Sequence, residues 1–152
     1  MKKILVSDKL ADDGINYLNE QSGIQVHIQV GMNEDELCEI IGDYDALLIR
    51  SDTKVTKRVL QAATNLKVVG RAGIGVDNVD IPAATEQGVI VMNTPDANAT
   101  TTAELAIAHM FSLSRNLPEA SVSVRAGKWE RSQLVGAEIN RKTFAILGFG
   151  TI

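Results

Sequence analysis

Short apolar runs recur along the first ninety or so residues: Ile4-Leu5-Val6, Ile24 to Val30, Ala46-Leu47-Leu48-Ile49, Leu66 to Val69 and Val89-Ile90-Val91-Met92. Each is rich in branched residues and ends in polar or glycine-bearing sequence, the signature of a strand. Five strands are predicted. Their starts lie about twenty residues apart, which leaves room between neighbours for one short helix and matches βαβ units rather than hairpins. The sheet is therefore expected to be mostly parallel. Helix starts are marked by capping chemistry: Asn33 with Glu36 three residues on, Thr56 before Lys57 to Ala63, and Asp80 before Ile81-Pro82. The second run alternates, with Ile24, Val26, Ile28 and Val30 on one side and Gln25, His27 and Gln29 on the other. That predicts an edge strand with one wet face, carrying His27 toward water, while the other runs are expected to be buried on both faces.

After Met92 the rhythm changes, and the next strand-like run is Thr143-Phe144-Ala145-Ile146-Leu147. A second domain is predicted there. Asn93-Thr94-Pro95-Asp96 is a turn-rich joint, and Thr101 with Glu104 predicts a capping box for a long helix through Arg115. Ala103, Leu105, Ile107, Met110, Phe111 and Leu113 make that helix apolar nearly all round, which suggests burial between domains or between subunits. Pro118 is expected to open a second helix reaching about Arg125. Residues 126–142 read as an extended arm, with Trp129 as its packing anchor.

Composition narrows the functional classes. The 152 residues are 45% hydrophobic and 22% charged, an ordinary globular balance. A net charge of -4 leaves no basic surplus for a phosphate backbone or an anionic bilayer, so neither nucleic acid nor membrane is an expected partner. Cys38 is the single cysteine, with no second Cys or nearby His to hold a metal; this usage fits a reducing cytoplasm. The three apolar residues after Met1-Lys2-Lys3 are too few for a signal-peptide core, and no run approaches transmembrane length.

Candidate chemistry gathers where predicted strands end. The fourth strand runs into Gly70-Arg71-Ala72-Gly73-Ile74-Gly75-Val76-Asp77, placed where open parallel sheets bind ligands. Gly73 and Gly75 permit positive φ and bare backbone that can converge on an anion, and Arg71 adds a guanidinium suited to carboxylate or phosphate. The third strand ends at Arg50, followed by Ser51-Asp52-Thr53-Lys54. Two arginines at strand carboxyl ends make a pocket for a small dianion; solvated surface arginines are the plainer alternative. Gly148-Phe149-Gly150-Thr151-Ile152, after an apolar run, has the form of a dinucleotide-binding turn opening, and also that of an ordinary glycine-bearing strand end.

Taken together, Arg50-Ser51-x-Thr53-Lys54-Val55-Thr56, Val69 to Asp80, Val91-Met92-Asn93-Thr94-Pro95, Ala103-Glu104-Leu105 and Gly127-Lys128-Trp129-Glu130-Arg131 resemble the D-2-hydroxyacid dehydrogenases, from end to end of the chain. The resemblance implies a flavodoxin-like parallel-sheet substrate domain over residues 1–96, then the start of a Rossmann NAD-binding domain over residues 97–152. It implies homodimers or higher oligomers built on the long helix and arm, with NAD as cofactor. The activity implied is oxidation of 3-phosphoglycerate to 3-phosphohydroxypyruvate, the first step of serine biosynthesis.

Carried over by position, Arg50, Ser51 and Arg71 would engage the substrate's phosphate and carboxylate, with Gly73 and Ile74 amides beside the carboxylate and Ile74 bordering the nicotinamide. Gly148, Gly150, Thr151 and Ile152 match the pyrophosphate turn, although many relatives carry arginine at the position of Thr151. Asn98 falls in the interdomain hinge, where it would touch the substrate or serve only to form the turn, and Arg131 matches a basic residue that in relatives reaches the neighbouring subunit's site, the plainer alternative being a solvated arm residue. Glu104 is accounted for as a cap. The family's catalytic histidine, glutamate and arginine lie beyond residue 152, and neither His27 nor His109 substitutes, so the chain alone is expected to be inactive. Competing readings are a dehydrogenase of an unphosphorylated acid, a non-catalytic NAD-sensing or ligand-binding module, and a phosphoacceptor receiver domain. The receiver is disfavoured because Ile49-Arg50 stands where its aspartate would be and the acidic pair after the first strand is reduced to Asp8.

Overall fold

A computed structural model of the protein describes residues 1–150. The chain divides into two compact units, Met1–Ala97 and a second beginning at Asn98. The first alternates strands β1 (Lys2–Val6), β2 (Ile24–Ile28), β3 (Ala46–Ile49), β4 (Val68–Arg71) and β5 (Ile90–Asn93) with helices α1 (Asp12–Asn19), α2 (Glu34–Ile40), α3 (Lys57–Ala62) and α4 (Ile81–Glu86). All four strand pairings are parallel and the order is β2-β1-β3-β4-β5, the flavodoxin-like arrangement.

Capping chemistry sets the helix starts as expected. Asn33 accepts from the Glu36 N–H at 3.0 Å while Glu36 accepts from the Asn33 N–H at 2.8 Å, a complete capping box. Thr56 and Asp80 accept from the N–H groups of Val59 and Ala83. The core lies on the sheet face covered by α2, α3 and α4, where Leu5, Leu47, Ile49 and Val69 meet Leu37, Ile41, Val59, Leu60, Ala83 and Ala84.

The opposite face is only partly covered. A groove of about 500 Å³ opens there, floored by Ile4, Ala46, Leu48, Gly70 and Met92 and flanked by Tyr17 of α1.

β2 is an edge strand, but His27 does not face open water. Its Nδ1 lies 2.9 Å from the Tyr44 hydroxyl and the rings meet edge to face at 5.5 Å. Burial pushes the Tyr44 phenol up from its ordinary range, with Asp43 adding to the effect. Ile28 and Val30 of the predicted dry face are instead exposed. β5 forms the second edge of the sheet rather than being buried on both faces, with Ile90 and Met92 exposed.

The second unit contains α5 (Ala99–Ser114) and α6 (Leu117–Arg125), with Pro118 in the first turn of α6 as expected. The capping box at Thr101 is not formed. α5 begins earlier, after Asn98, which leaves Thr101 and Glu104 inside the helix; Asn98 itself makes no side-chain cap. No residue of α5 is buried, and Leu105, Ile107, Phe111 and Leu113 are exposed. Residues 143–147 form no strand: they pair with nothing among the described residues, so the β propensity of Phe144 and Ile146 has no ladder to satisfy. No described helix is long and apolar enough to cross a membrane.

Candidate functional site

The site is built on the carboxyl ends of β3 and β4. The strands are neighbours in a register that pairs Ile49 with Arg71, so Arg50 leaves the sheet beside Arg71. What holds the Arg50 loop is Asp8, at the end of β1. Its carboxylate, only 4% exposed, accepts from the Arg50 N–H at 2.5 Å, the Thr53 N–H at 3.1 Å and the Thr53 hydroxyl at 2.6 Å. Ser7 and Thr53 share a further bond at 2.9 Å between their hydroxyls. A charged acceptor with this many donors is well satisfied despite its burial.

The loop after β4 is tied to the loop after β3. Val55 and Val79 form a parallel bridge, with the Val55 N–H donating to the Asn78 carbonyl at 2.8 Å and the Asp80 N–H to the Val55 carbonyl at 2.9 Å. The Asn78 amide donates to the carbonyls of Arg50 and Thr53, both at 2.7 Å, and accepts from Nε of Arg71 at 2.9 Å.

Neither Gly73 nor Gly75 uses the positive φ that glycine permits. What Gly73 provides is space: a Cβ there would collide with the Arg71 guanidinium where it now lies. A Cβ at Gly70 would lie 2.6 Å from Cδ2 of Leu48. From β5, the Asn93 amide donates to the Ile74 carbonyl at 2.7 Å and the Thr94 N–H to the Gly73 carbonyl at 3.0 Å, fixing the glycine loop from its far side.

Arg50, Ser51, Arg71, Gly73 and Ile74 thus sit together at the carboxyl end of the sheet, where β3 and β4 lie side by side. Arg50 is exposed and Arg71 half-buried, while the Ser51 hydroxyl turns to Asp52 at 3.3 Å. The apolar groove reaches Arg71, Asn93 and Thr94 at its end, but its floor offers nothing for a polar acid to bond; the polar groups lie at its rim.

The remaining candidates belong to the second unit. Asn98 precedes α5 and is exposed. Arg131 is exposed as well, and Trp129, 80% exposed, does not anchor the arm within its own chain. The arm is held elsewhere: Ser123 donates to Glu130 at 2.7 Å, and the Ala137 N–H donates to the Ser114 carbonyl at 2.7 Å, where bare Gly136 lets the backbones meet. Gly148 has φ of 122°, open to glycine alone, and nothing stands within 4 Å of a Cβ at Gly148 or Gly150. Such bare, turned backbone fits the opening of a pyrophosphate turn. Thr151 and Ile152 lie outside the described residues. Among the described residues no cluster of three or more His, Cys, Asp or Glu could hold a metal.

Two residues of the site were not singled out from the sequence. Asp8 entered only as half of an absent acidic pair, and Asn78 only as a letter of a motif. The available signal, for Asp8, was a charged residue two positions after the buried run Ile4-Leu5-Val6, which needs partners from neighbouring loops.

This fold and residue pattern place the chain in the D-isomer specific 2-hydroxyacid dehydrogenase family, whose catalytic-domain profile matches residues 4–145. Within it, the chain is 46% identical over 152 residues to the D-3-phosphoglycerate dehydrogenase of Synechocystis sp., covering 100% of this chain and 27% of that protein. Among solved structures it resembles the NAD+-bound 3-phosphoglycerate dehydrogenase of Entamoeba histolytica, with 32% identity, a TM-score of 0.67 and coverage of 75% of this chain and 39% of that one. It also resembles the NAD-dependent formate dehydrogenase of Staphylococcus aureus in complex with NAD, with 26% identity, a TM-score of 0.84 and coverage of 99% and 50%. The chain thus spans about a quarter of the length of the curated relative.

Proposed function

We propose that this chain is the substrate-binding, N-terminal part of an NAD-dependent dehydrogenase that oxidises 3-phosphoglycerate to 3-phosphohydroxypyruvate. The observation that carries the reading is the pairing of Arg50 and Arg71 on loops locked together by Asp8 and Asn78. Similarity to D-3-phosphoglycerate dehydrogenases over the whole chain agrees with it. A substrate with a phosphate at one end and a carboxylate at the other needs two separated cationic partners, and guanidinium suits both groups. An unphosphorylated acid has less use for the second arginine.

In this reading Arg50 and Arg71 bind the two anionic ends and orient the hydroxyl-bearing carbon between them. The Gly73 and Ile74 backbone lies against the carboxylate. NAD, when bound, accepts the hydride, and Gly148 and Gly150, followed by Thr151 and Ile152, would receive its pyrophosphate. Proton removal needs a base within hydrogen-bond reach of the substrate hydroxyl. His27 is engaged with Tyr44 on the edge strand, and His109 lies on α5. Neither belongs to the arginine loops, so this chain supplies binding and not turnover. The exposed apolar residues of α5 favour a dimer or larger species in solution, with Arg131 serving the partner's site.

Calorimetric titration with 3-phosphoglycerate tests the assignment, beside Arg50→Ala, Arg71→Ala and lactate as the unphosphorylated control. Saturable binding abolished by either substitution and absent for lactate is expected. Binding that survives both substitutions would overturn it.

A further inference from the structure

We infer that Asn78 is a positioning residue that sets both arginines of the anion site at once, an inference that rests on the substrate reading of Arg50 and Arg71. Asn78 is itself assigned no contact with the substrate. Its side chain reaches both loops that carry them.

A primary amide offers two N–H donors on one side and a carbonyl acceptor on the other. In Asn78 both sides are used. The nitrogen donates to the carbonyls of Arg50 and Thr53, each at 2.7 Å, which fixes the first loop at the residue bearing one arginine. The oxygen receives Nε of Arg71 at 2.9 Å, which fixes the rotation of the other guanidinium about its own stem. With Nε engaged, that guanidinium keeps its two terminal nitrogens for a ligand, and its Nη1 lies over bare Gly73.

Two further contacts make the tie rigid. The Arg50 backbone is gripped on both sides, its N–H by Asp8 and its carbonyl by Asn78. The Asn78 backbone is itself fixed, because its carbonyl accepts from Val55 within the Val55–Val79 bridge. The separation of the two cations is therefore governed by one amide held at its base. Recognition of a dianion of fixed length depends on that separation, because small misplacements of binding groups cost large factors in affinity and rate.

No other side chain of this size does both jobs. Aspartate keeps an acceptor for Arg71 but presents oxygen to the carbonyls of Arg50 and Thr53. Alanine releases both loops.

The test is steady-state kinetics on the full-length polypeptide carrying Asn78→Ala, Asn78→Asp, Arg50→Ala or Arg71→Ala, and the paired combinations, with thermal unfolding measured alongside. Asn78→Ala should raise KM for 3-phosphoglycerate about tenfold or more while KM for NAD moves by less than about twofold. A merely structural role would shift both together. Added to Arg71→Ala or to Arg50→Ala, Asn78→Ala should cost less than it does alone, keeping only the part that acts through the remaining arginine, because groups acting through one another are not additive. Asn78→Asp should lose its own effect in the Arg50→Ala background and keep it beside Arg71→Ala; this variant carries the test if Asn78→Ala does not fold.

Effects that multiply independently in every combination would overturn the inference while leaving the substrate reading intact. So would Asn78 variants with unchanged KM for 3-phosphoglycerate. If Arg50→Ala and Arg71→Ala themselves left that KM unchanged, the substrate reading would fall and the inference with it.

Discussion

The carboxylate of Asp8 holds the backbone N–H of Thr53 at 3.1 Å and its hydroxyl at 2.6 Å, joining the end of the first strand to a loop 45 residues on. Asp8→Ala would strand the buried N–H of Thr53 and the part-buried N–H of Arg50, a buried group costing roughly 1–3 kcal/mol when left without a partner. A loss of about 2–4 kcal/mol in unfolding free energy is expected by urea denaturation, with Asp8→Asn falling between. An unchanged midpoint for Asp8→Ala would show that the loop is held by other means.

Gly73→Ala separates affinity from stability. The backbone at 73 is open to any residue, and the group its new methyl would strike is the flexible end of Arg71. The guanidinium must swing away. Unfolding free energy should change by less than about 1 kcal/mol, while 3-phosphoglycerate binding weakens about tenfold. Titration calorimetry and a thermal melt on the same sample check both halves. A large fall in melting temperature with intact binding would contradict the geometry.

Asp45 predicts an acid limb. Its carboxyl is held below the usual carboxylate range, first by the bond from Lys2 Nζ at 2.6 Å and then by the Lys3 N–H at 2.9 Å. A lowered native pKa means that the unfolded chain takes up the proton first as pH falls. The contribution is therefore complete above the ordinary carboxylate range and disappears as pH drops through the lowered value. Stability measured against pH should fall less steeply there in Asp45→Asn than in the unsubstituted chain. Identical slopes would rule the contribution out.

The two sheet faces should respond differently to truncation. Leu47 is wholly buried beneath α2 to α4, whereas Met92 is 58% exposed over the groove. Leu47→Ala should cost about 2–5 kcal/mol and Met92→Ala within about 0.5 kcal/mol. Equal costs by denaturant titration would mean that the groove face is covered in solution.

Much of the first unit was legible because its signals are local. Branched runs mark strands, and Asn33, Thr56 and Asp80 mark helix starts by chemistry that acts within one turn. The errors arose where neighbours decide. Phe144 and Ile146 carry strand propensity, but a strand needs another strand. Met92 is as apolar as a core residue, yet its place at the sheet edge depends on strand order. His27 alternates correctly for a wet face, but Tyr44, 17 residues away, meets its ring. At the site, the arginines and glycines could be found from motif and position. Asp8 and Asn78 were missed because most of their partners are backbone carbonyls and N–H groups, which any residue would supply; only the Thr53 hydroxyl and Nε of Arg71 are side-chain partners.

The pairing register also bears on how the sheet assembles in time. Lys2 faces Ile24, Ala46 faces Val68 and Val68 faces Ile90, a separation of 22 residues in each case, whereas Ile4 faces Ala46 across 42. Loop-closure cost grows with the logarithm of length, by about 0.6 kcal/mol per doubling. Joining β1 to β3 is thus the most expensive ladder to close, and β3-β4-β5 has the shorter path to a folding nucleus. Conservative truncation of Val69 should then slow refolding, whereas truncation of Leu5 should chiefly speed unfolding. On that expected order the ladder beside Asp8 closes last, and the arginine loop takes its final shape only when the rest of the sheet already exists.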